Sequence, residues 1–137
     1  MLKLDQIIEF MDMIRGDLCE EYKIWINVKT DQTEVYNQSM TPSNEVDEFR
    51  HEGAPEWILF RPEIYDSTII ESFISTVNDQ GLRDLMYGLF EGRGKYRRIK
   101  TYFARAGLLE RYYRHENEYV RNAAIKWCHD NGVPFQE

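Results

Sequence analysis

The chain has 137 residues, of which 42% are hydrophobic and 30% are charged, a length and composition typical of one soluble globular domain. It has neither the roughly 18 consecutive apolar residues of a membrane span nor the start of a secretory signal peptide, so we expect a cytoplasmic protein that does not contact a membrane. Its formal net charge of -7 argues against non-specific nucleic-acid binding, which favours a positive protein.

Charge is distributed unevenly along the chain. Residues 1–80 carry 6 basic and 17 acidic side chains, whereas residues 81–137 carry 11 basic and 7 acidic ones. Such asymmetry predicts two surfaces with different partners or a large internal dipole. A simpler interpretation is that the acidic part keeps the protein soluble.

The N-terminal half predicts one helix followed by a small antiparallel sheet. The helix has apolar residues at helical spacing and Gly16 at its expected end. Those apolar residues are Leu4, Ile7, Ile8, Met11 and Ile14. Alternating polarity over residues 22–28 predicts a half-buried strand, followed by a second strand at residues 34–37 and a third at residues 57–60. A short acidic helix opening at Pro42 is expected between the last two strands.

The C-terminal half predicts helices throughout. Asp66 or Ser67 is expected to cap a first helix, and Asp79 a second. The apolar side chains of the second helix are expected to face the core. They are Leu82, Leu85, Met86, Leu89 and Phe90. A third helix runs from Lys95 to Gly107. Two further helices are expected, a short one at residues 108–115 and a last one capped by Asn117 and ended by Asn131-Gly132.

These elements predict an α+β fold in which a small antiparallel sheet of about three strands, with one or two helices, precedes a helical C-terminal half. We expect a single domain over residues 1–137. Within it, residues 1–64 form an acidic α/β part, and residues 65–137 form a helical part that contains most of the positive charge.

The positive charge is concentrated in the segment EGRGKYRRIKTYFARAG, residues 91–107. Six basic residues and no acidic residue fall between Arg93 and Arg105. A helix from Lys95, at 100° per residue, would place a set of mostly apolar side chains on one face. That set is Tyr96, Ile99, Tyr102, Phe103 and Ala106. Arg97, Arg98 and Arg105 then lie on the opposite face, with Lys100 beside it.

The turn before this helix suggests an anion-binding site. Glycines permit a tight turn and close approach of a ligand, a helix N-terminus presents free N–H groups, and the guanidinium fork suits phosphate or carboxylate. The predicted site consists of Gly92, Arg93, Gly94, Lys95, Arg97, Arg98 and Lys100. It would bind an anion, a nucleic-acid backbone or the acidic patch of a protein partner. Alternatively, the arginines pair with acidic residues of the same chain.

The segment matches neither common nucleotide-binding motif. It lacks the long spacing and the Ser or Thr of a phosphate-binding P-loop. It also lacks the third glycine and the preceding strand of the dinucleotide fingerprint.

The same block, with its surroundings, resembles a bacterial family catalogued as an uncharacterised protein family, whose members carry Gly-Arg/Lys-Gly-Ala-Phe-Arg-Arg-Phe-Lys. This chain has GRGKYRRIK at residues 92–100, Tyr112-Tyr113 where the family has Trp-Tyr, and Ala123, Ala124 and Trp127 in the last helix. The resemblance covers about residues 66–133. It implies a small cytoplasmic bacterial protein, and it brings no established activity, catalytic residue or cofactor.

Other reactive residues form no recognisable constellation. The spacing of His115, Cys128 and His129 does not fit a zinc site, and Cys128 lies on an apolar stripe, which favours a buried thiol. Nothing near Cys19 supports a nucleophile pair. We therefore predict no metal, no cofactor and no catalytic residue.

Trp25 faces away from Ile24 and Ile26 in the first predicted strand, with Trp57 nearby. It is either covered by a helix or part of an exposed binding patch. Several tyrosines of the C-terminal half invite two more interpretations, stacking on nucleic-acid bases or a protein-interface hot spot. Rings at the edge of the core are the default.

The sequence as a whole predicts a non-enzymatic binding or regulatory protein that presents the basic helix to an acidic protein, an anion or a nucleic-acid backbone. One alternative is a small enzyme acting on a phosphorylated or carboxylated metabolite held at Gly92 to Gly94. Another is an inhibitor whose acidic half mimics nucleic acid. The oligomeric state is left open.

Overall fold

The computed structural model describes residues 1–15, 21–46 and 49–137, and it confirms the predicted α+β class. The chain packs into two compact units. The first, called the sheet unit here, comprises Met1–Ile64 and Val120–Glu137; the second, called the helical unit, comprises Tyr65–Tyr119. Each unit has a hydrophobic core of its own.

The sheet unit is built on three antiparallel strands. These are β2 (Tyr22–Asn27), β3 (Thr33–Asn37) and β4 (Trp57–Leu59), with β2 in the centre of the order β3-β2-β4. The register pairs Ile24 with Val35 and Ile26 with Ile58. All three strands were predicted, because each alternates or concentrates apolar residues between turn-forming segments.

Helix α1 (Leu4–Ile14) contributes the buried Leu4, Ile7, Phe10 and Met11 to the core of this unit. The Phe10 ring lies edge-on to Phe60, which in turn contacts Trp127 with ring centroids 4.5 Å apart. The predicted end of the helix at Gly16 lies outside the described residues. The expected acidic helix is a single turn, α2 (Ser43–Val46).

Strand β2 is buried on both faces rather than half-buried. Ile24 and Ile26 point into the core. Trp25, on the other face, is only 5% exposed, because the ring of His51 lies against it with a centroid distance of 5.0 Å. Trp25 is therefore a covered residue and not part of an exposed patch, and His51, from the turns after α2, contributes to the cover.

Two short strands lie outside the three-stranded sheet. β1 (Leu2–Lys3) pairs in parallel with β5 (Phe135–Gln136). The sequence did not indicate this pairing, since two residues are too few for a periodicity to show.

The helical unit consists of α3 (Asp66–Ser75), α4 (Gln80–Leu89), α5 (Lys95–Arg105) and the beginning of α6 (Leu109–Asn131). Phe73 lies at the centre of its core. The Phe73 ring meets Phe103 at 5.1 Å and Tyr112 at 5.4 Å, both edge-on. Such edge-to-face pairs add about 0.5–1.5 kcal/mol beyond the burial of apolar surface.

Of the two caps predicted for α3 and α4, one is confirmed. Asp79 precedes α4, and its Oδ1 accepts a hydrogen bond from the backbone N–H of Leu82 at 3.0 Å. The cap at Asp66 or Ser67 is wrong, because α3 already begins at Asp66 and Tyr65 occupies the capping position without a side-chain hydrogen bond. Asp66 lies in the first turn instead, where its negative charge interacts favourably with the positive end of the helix dipole.

The two helices predicted after Gly107 are one continuous helix, α6, of 23 residues. The polar run around Asn117 does not interrupt it, because the half-buried His115, Glu116 and Tyr119 follow at helical spacing between the buried Tyr112 and Val120. The predicted stop is confirmed: Gly132 has a φ of 66°, and the Val133 N–H bonds to the Cys128 carbonyl at 2.9 Å. No helix in the described ranges combines the length and the apolarity needed to cross a bilayer.

Candidate anion-binding site

The turn between α4 and α5 depends on two glycines. Gly92 and Gly94 have φ values of 75° and 74°, in the left-handed region that glycine occupies without strain. Gly94 stands directly before α5. Two left-handed residues in three reverse the chain tightly enough to bring the first turns of α5 back to the end of α4.

Arg98 fixes this turn through backbone carbonyl groups. Its Nη1 donates to Leu89 at 3.4 Å and to Glu91 at 3.2 Å, and its Nη2 donates to Arg93 at 2.7 Å. Carbonyl groups at a helix C-terminus lack partners within the helix and carry partial negative charge. The guanidinium of Arg98 therefore caps the end of α4 and holds the glycine turn together.

A depression of about 330 Å³ opens beside this turn. Its lining residues are Leu89, Gly94, Arg97, Arg98, Thr101, Tyr102 and Arg105. Arg97, Thr101 and Arg105 follow one another at intervals of four residues, so they lie on the same face of α5. The helix thus brings three arginines, a threonine, a tyrosine and the left-handed glycine that precedes it to one concave surface.

Acidic side chains of the described residues do not pair with the arginines of the depression. Within residues 1–15, 21–46 and 49–137, neither Arg97, Arg98 nor Arg105 forms an ion pair. Arg97 and Arg105 are exposed, and Arg98 is half-buried. Among the described residues, the lining of the depression carries three guanidinium groups and no acidic side chain.

The remaining predicted site residues lie elsewhere. Lys95 is half-buried, with its Nζ 4.7 Å from the centre of the Phe90 ring and 5.4 Å from that of Tyr96, which is a cation–π arrangement. Arg93, Lys100 and Gly92 are exposed and do not line the depression. The structure therefore groups Gly94, Arg97 and Arg98 and separates the other four.

The predicted inward face of α5 is partly confirmed. Ile99 and Phe103 are fully buried, and Tyr102 is half-buried. Tyr96 was expected inside but is 40% exposed, because it packs edge-on against Phe90 at the rim of the core. Ala106 is exposed as well, since it follows the last residue of the helix.

Four residues of the depression were missing from the predicted site. Arg105 was placed on the cationic face but not in the site, and Thr101, Tyr102 and Leu89 were not considered for it. The i, i+4, i+8 spacing of Arg97, Thr101 and Arg105 carried the signal for two of them. Leu89 belongs to another helix, and only the geometry of the glycine turn brings it there.

A second polar cluster occupies the sheet unit. Oε2 of Glu34 accepts hydrogen bonds from Tyr36 at 2.5 Å and from Arg50 at 2.8 Å, and it lies 3.2 Å from Nε2 of His51. Desolvation acts to raise the pKa of Glu34, but the hydrogen bonds from these three residues and the charge of Arg50 outweigh it, so the pKa is lowered. The His51 ring also stacks on Trp57 at 4.1 Å. The side chains of Tyr36, Arg50 and His51 in this cluster thus converge on one carboxylate oxygen.

Two further reactive side chains outside the depression are those of Ser72 and Cys128. Oγ of Ser72 lies 2.7 Å from Nε2 of His115 and also donates to the Ile69 carbonyl. The hydroxyl group of Ser72 thus bridges the imidazole of His115 and a backbone carbonyl group of α3. Cys128 is fully buried, and burial raises the pKa of its thiol to about 11, as its apolar position predicted.

Metal ligands do not cluster in the part of the chain that the structure describes: no group of three or more His, Cys, Asp or Glu side chains there is suited to a metal ion. Cys19 lies outside the described residues.

Comparison with known proteins adds no assignment, since no family model, curated protein or solved structure matches this chain.

Proposed function

We propose that this protein is a cytoplasmic binding or regulatory protein whose helical unit recognises a phosphate or carboxylate group through the arginine-lined depression. The observation that supports this function is the convergence of Arg97, Arg98 and Arg105 on one concave surface without an ion pair in the described ranges. Three like charges held together are unfavourable unless solvent or a ligand compensates them.

The chemistry of the lining fits an oxyanion. Guanidinium groups donate in a planar fork that matches carboxylate and phosphate oxygens, and such charge-assisted hydrogen bonds are about twice as strong as neutral ones. The exposed hydroxyl group of Thr101 lies on the same face. The first turn of α5, next to Gly94, adds backbone N–H groups and the positive end of a helix dipole.

The size of the depression indicates what carries the anion. A volume of about 330 Å³ lies at the lower end of the range of about 300–1,000 Å³ for organic ligand sites. It exceeds what a bare phosphate ion fills, and Leu89 and Tyr102 supply apolar surface. Both features favour an anionic group attached to a larger partner as the ligand. The described residues of the lining include no carboxylate, imidazole or thiol group, so we assign binding and no reaction to it.

Titration with inorganic phosphate and with pyrophosphate, followed by the NMR signals of the arginine side chains, tests this function. We expect the double variant Arg97→Ala/Arg105→Ala to weaken binding about 10-fold or more, since it removes two charge-assisted contacts. Arg93→Ala/Lys100→Ala is the matched control, because it removes the same charge from exposed positions outside the depression. The control should change affinity less than about twofold.

Equal weakening by both double variants would show that only overall charge matters, and it would overturn the proposed site. Arg98 is left intact in both, because its side chain also holds the turn. A variant at that position would confuse lost binding with lost structure.

A further inference from the structure

The outer face of α4 carries leucines that the core does not use. Leu82 is 40% exposed and Leu85 is 48% exposed, although both were expected to point inward. The core contacts of α4 are made by Met86 and Phe90, which are buried. Leu82, Leu85 and Leu89 are spaced at i, i+3 and i+7, so they form one stripe along the helix, called the leucine ridge here.

The leucine ridge leads into the anion-binding depression. Leu89, its last member, also lines the depression together with Arg97 and Arg105. Apolar and cationic surfaces are therefore continuous within the helical unit. Exposed apolar surface that is contiguous and bordered by polar groups is typical of an interaction site.

We propose that this composite surface binds an acidic amphipathic helix of a partner protein. The apolar face of that helix would cover the leucine ridge, and its carboxylates would enter the depression and meet Arg97 and Arg105. This proposal rests on the proposed function, and it names the carrier of the anionic group. Amphipathic helices dock through apolar residues at i, i+3, i+4 and i+7. The leucines of the ridge have the same helical spacing, so the two apolar stripes can lie against each other.

Charge complementarity and apolar surface together select this occupant. A small anion would leave Leu82 and Leu85 uncovered, and a nucleic-acid backbone has no apolar face for them. An anionic bilayer would be repelled at long range by a protein with a net charge of -7. A single acidic segment carries few charges, and its carboxylates approach only the cationic end of the surface.

The geometry also sets the length of the partner segment. Seven residues separate Leu82 from Leu89, which corresponds to about 10 Å along the helix axis. One more turn is needed to reach into the depression. The partner therefore needs about three helical turns, or roughly 11 residues, with leucines along one face and glutamates at one end.

A synthetic peptide of that design, labelled with a fluorophore, tests the proposal by anisotropy against the full chain. A scrambled peptide of equal composition is the first control. We expect the amphipathic peptide to bind about 10-fold more tightly than the scrambled one, because only it aligns the apolar and acidic groups with the surface. Equal affinity for both peptides would overturn the proposal.

Protein variants separate the two parts of the surface. Leu85→Ser should weaken peptide binding about 10-fold and leave phosphate binding unchanged, whereas Arg97→Ala/Arg105→Ala should weaken both. Met40→Ser is the matched control, since Met40 is an exposed apolar residue in the sheet unit. An equal effect of Leu85→Ser and Met40→Ser on peptide affinity would also overturn the proposal.

Phosphate titration distinguishes failure of this proposal from failure of the proposed function. Phosphate binding at Arg97 and Arg105 without selective peptide binding would leave the function standing and remove the helical partner. Absence of both would remove both. Binding to anionic vesicles, to single-stranded DNA or to a second copy of the chain in sedimentation, if Leu85→Ser abolished it, would assign the surface to that occupant and overturn the helix.

Discussion

The two units use their charged side chains differently. The sheet unit contains 16 acidic and 8 basic residues, and several of these are paired with each other. Arg50 pairs with Glu34, Arg121 with Glu137, and Lys126 with Asp130. Charges paired in this way stabilise local structure by a few tenths of a kcal/mol to about 1 kcal/mol each.

The helical unit contains 9 basic and 8 acidic residues, a nearly balanced composition. Yet none of its nine basic side chains forms an ion pair with any described part of the chain. Arg83 and Arg98 donate to backbone carbonyl groups instead. Composition alone therefore does not tell which charges are available to a partner, because the pairing is decided by geometry.

The largest expected effect tests whether rings, and not charges, hold the helical unit together. Phe73→Ala should lower the free energy of unfolding by about 3–5 kcal/mol, since it leaves a cavity among Phe103, Tyr112 and His115. Urea unfolding followed by circular dichroism measures this. Arg97→Ala/Arg105→Ala is the comparison and should stay within about 0.5 kcal/mol of the wild type. A loss below about 1 kcal/mol for Phe73→Ala would contradict the described core.

A smaller effect separates two neighbouring arginines. Arg98→Ala should destabilise the protein by about 1–2 kcal/mol, because the carbonyl groups of Leu89, Glu91 and Arg93 lose a charged donor. Arg97→Ala, which removes an exposed side chain, should cost less than about 0.5 kcal/mol. Chemical denaturation of the two variants provides the measurement, and equal stability of both would refute the capping role of Arg98.

The sheet unit also contains the buried thiol group of Cys128, whose ionised form is disfavoured by burial. Burial raises the pKa of Cys128 from 9.0 to about 11, so its contribution to stability is complete below pH 9 and is lost as the pH rises toward 11. Between pH 8 and pH 10, the free energy of unfolding should fall by about 1 kcal/mol more than in Cys128→Ala. Both proteins carry Cys19→Ser, so that Cys128 is the sole thiol. Parallel pH profiles would show that the thiol is not buried as described.

The smallest expected effect concerns the paired charges of the sheet unit. Glu34→Gln should cost about 0.2–1 kcal/mol at pH 7, because the charged acceptor for Arg50 and His51 is lost. The pKa of Glu34 is lowered in the folded protein. The contribution of its carboxylate to the free energy of unfolding is therefore present above the ordinary pKa of about 4.3, and it disappears as the pH falls through the lowered pKa. Unfolding curves from pH 7 to pH 3 should therefore converge for variant and wild type. A gap that persisted at pH 3 would mean that the carboxylate charge is not the cause.

Local sequence signals were sufficient for most elements of the fold. The strands around Ile24, Val35 and Ile58 lie between clear turn residues, and Asp79 and Gly132 mark helix ends by well-defined chemistry. The continuous α6 was missed because Asn117 was given the role of a cap, although propensity is a weak guide when tertiary packing decides. The stripe from Tyr112 to Val120 was the better signal.

The candidate site was predictable only in part. The cationic face of α5 followed from helical periodicity, and so did the burial of Ile99 and Phe103. Periodicity does not show which apolar residues of a helix will be covered by another element. The exposure of Leu82 and Leu85 was not predicted for that reason. The engagement of Arg98 with three carbonyl groups depends on the left-handed turn at Gly92 and Gly94, and no local pattern encodes it.

The anchoring of Arg98 has a consequence for how an anion is bound. A free arginine side chain loses up to about 2 kcal/mol of rotamer entropy when it is immobilised, and Arg97 and Arg105 bear that loss when the ligand arrives. Arg98 is already held by three carbonyl groups in the folded chain, and it also lines the depression. In the proposed site, one of the three arginines is therefore preorganised, and the entropy cost of binding falls on the two exposed ones.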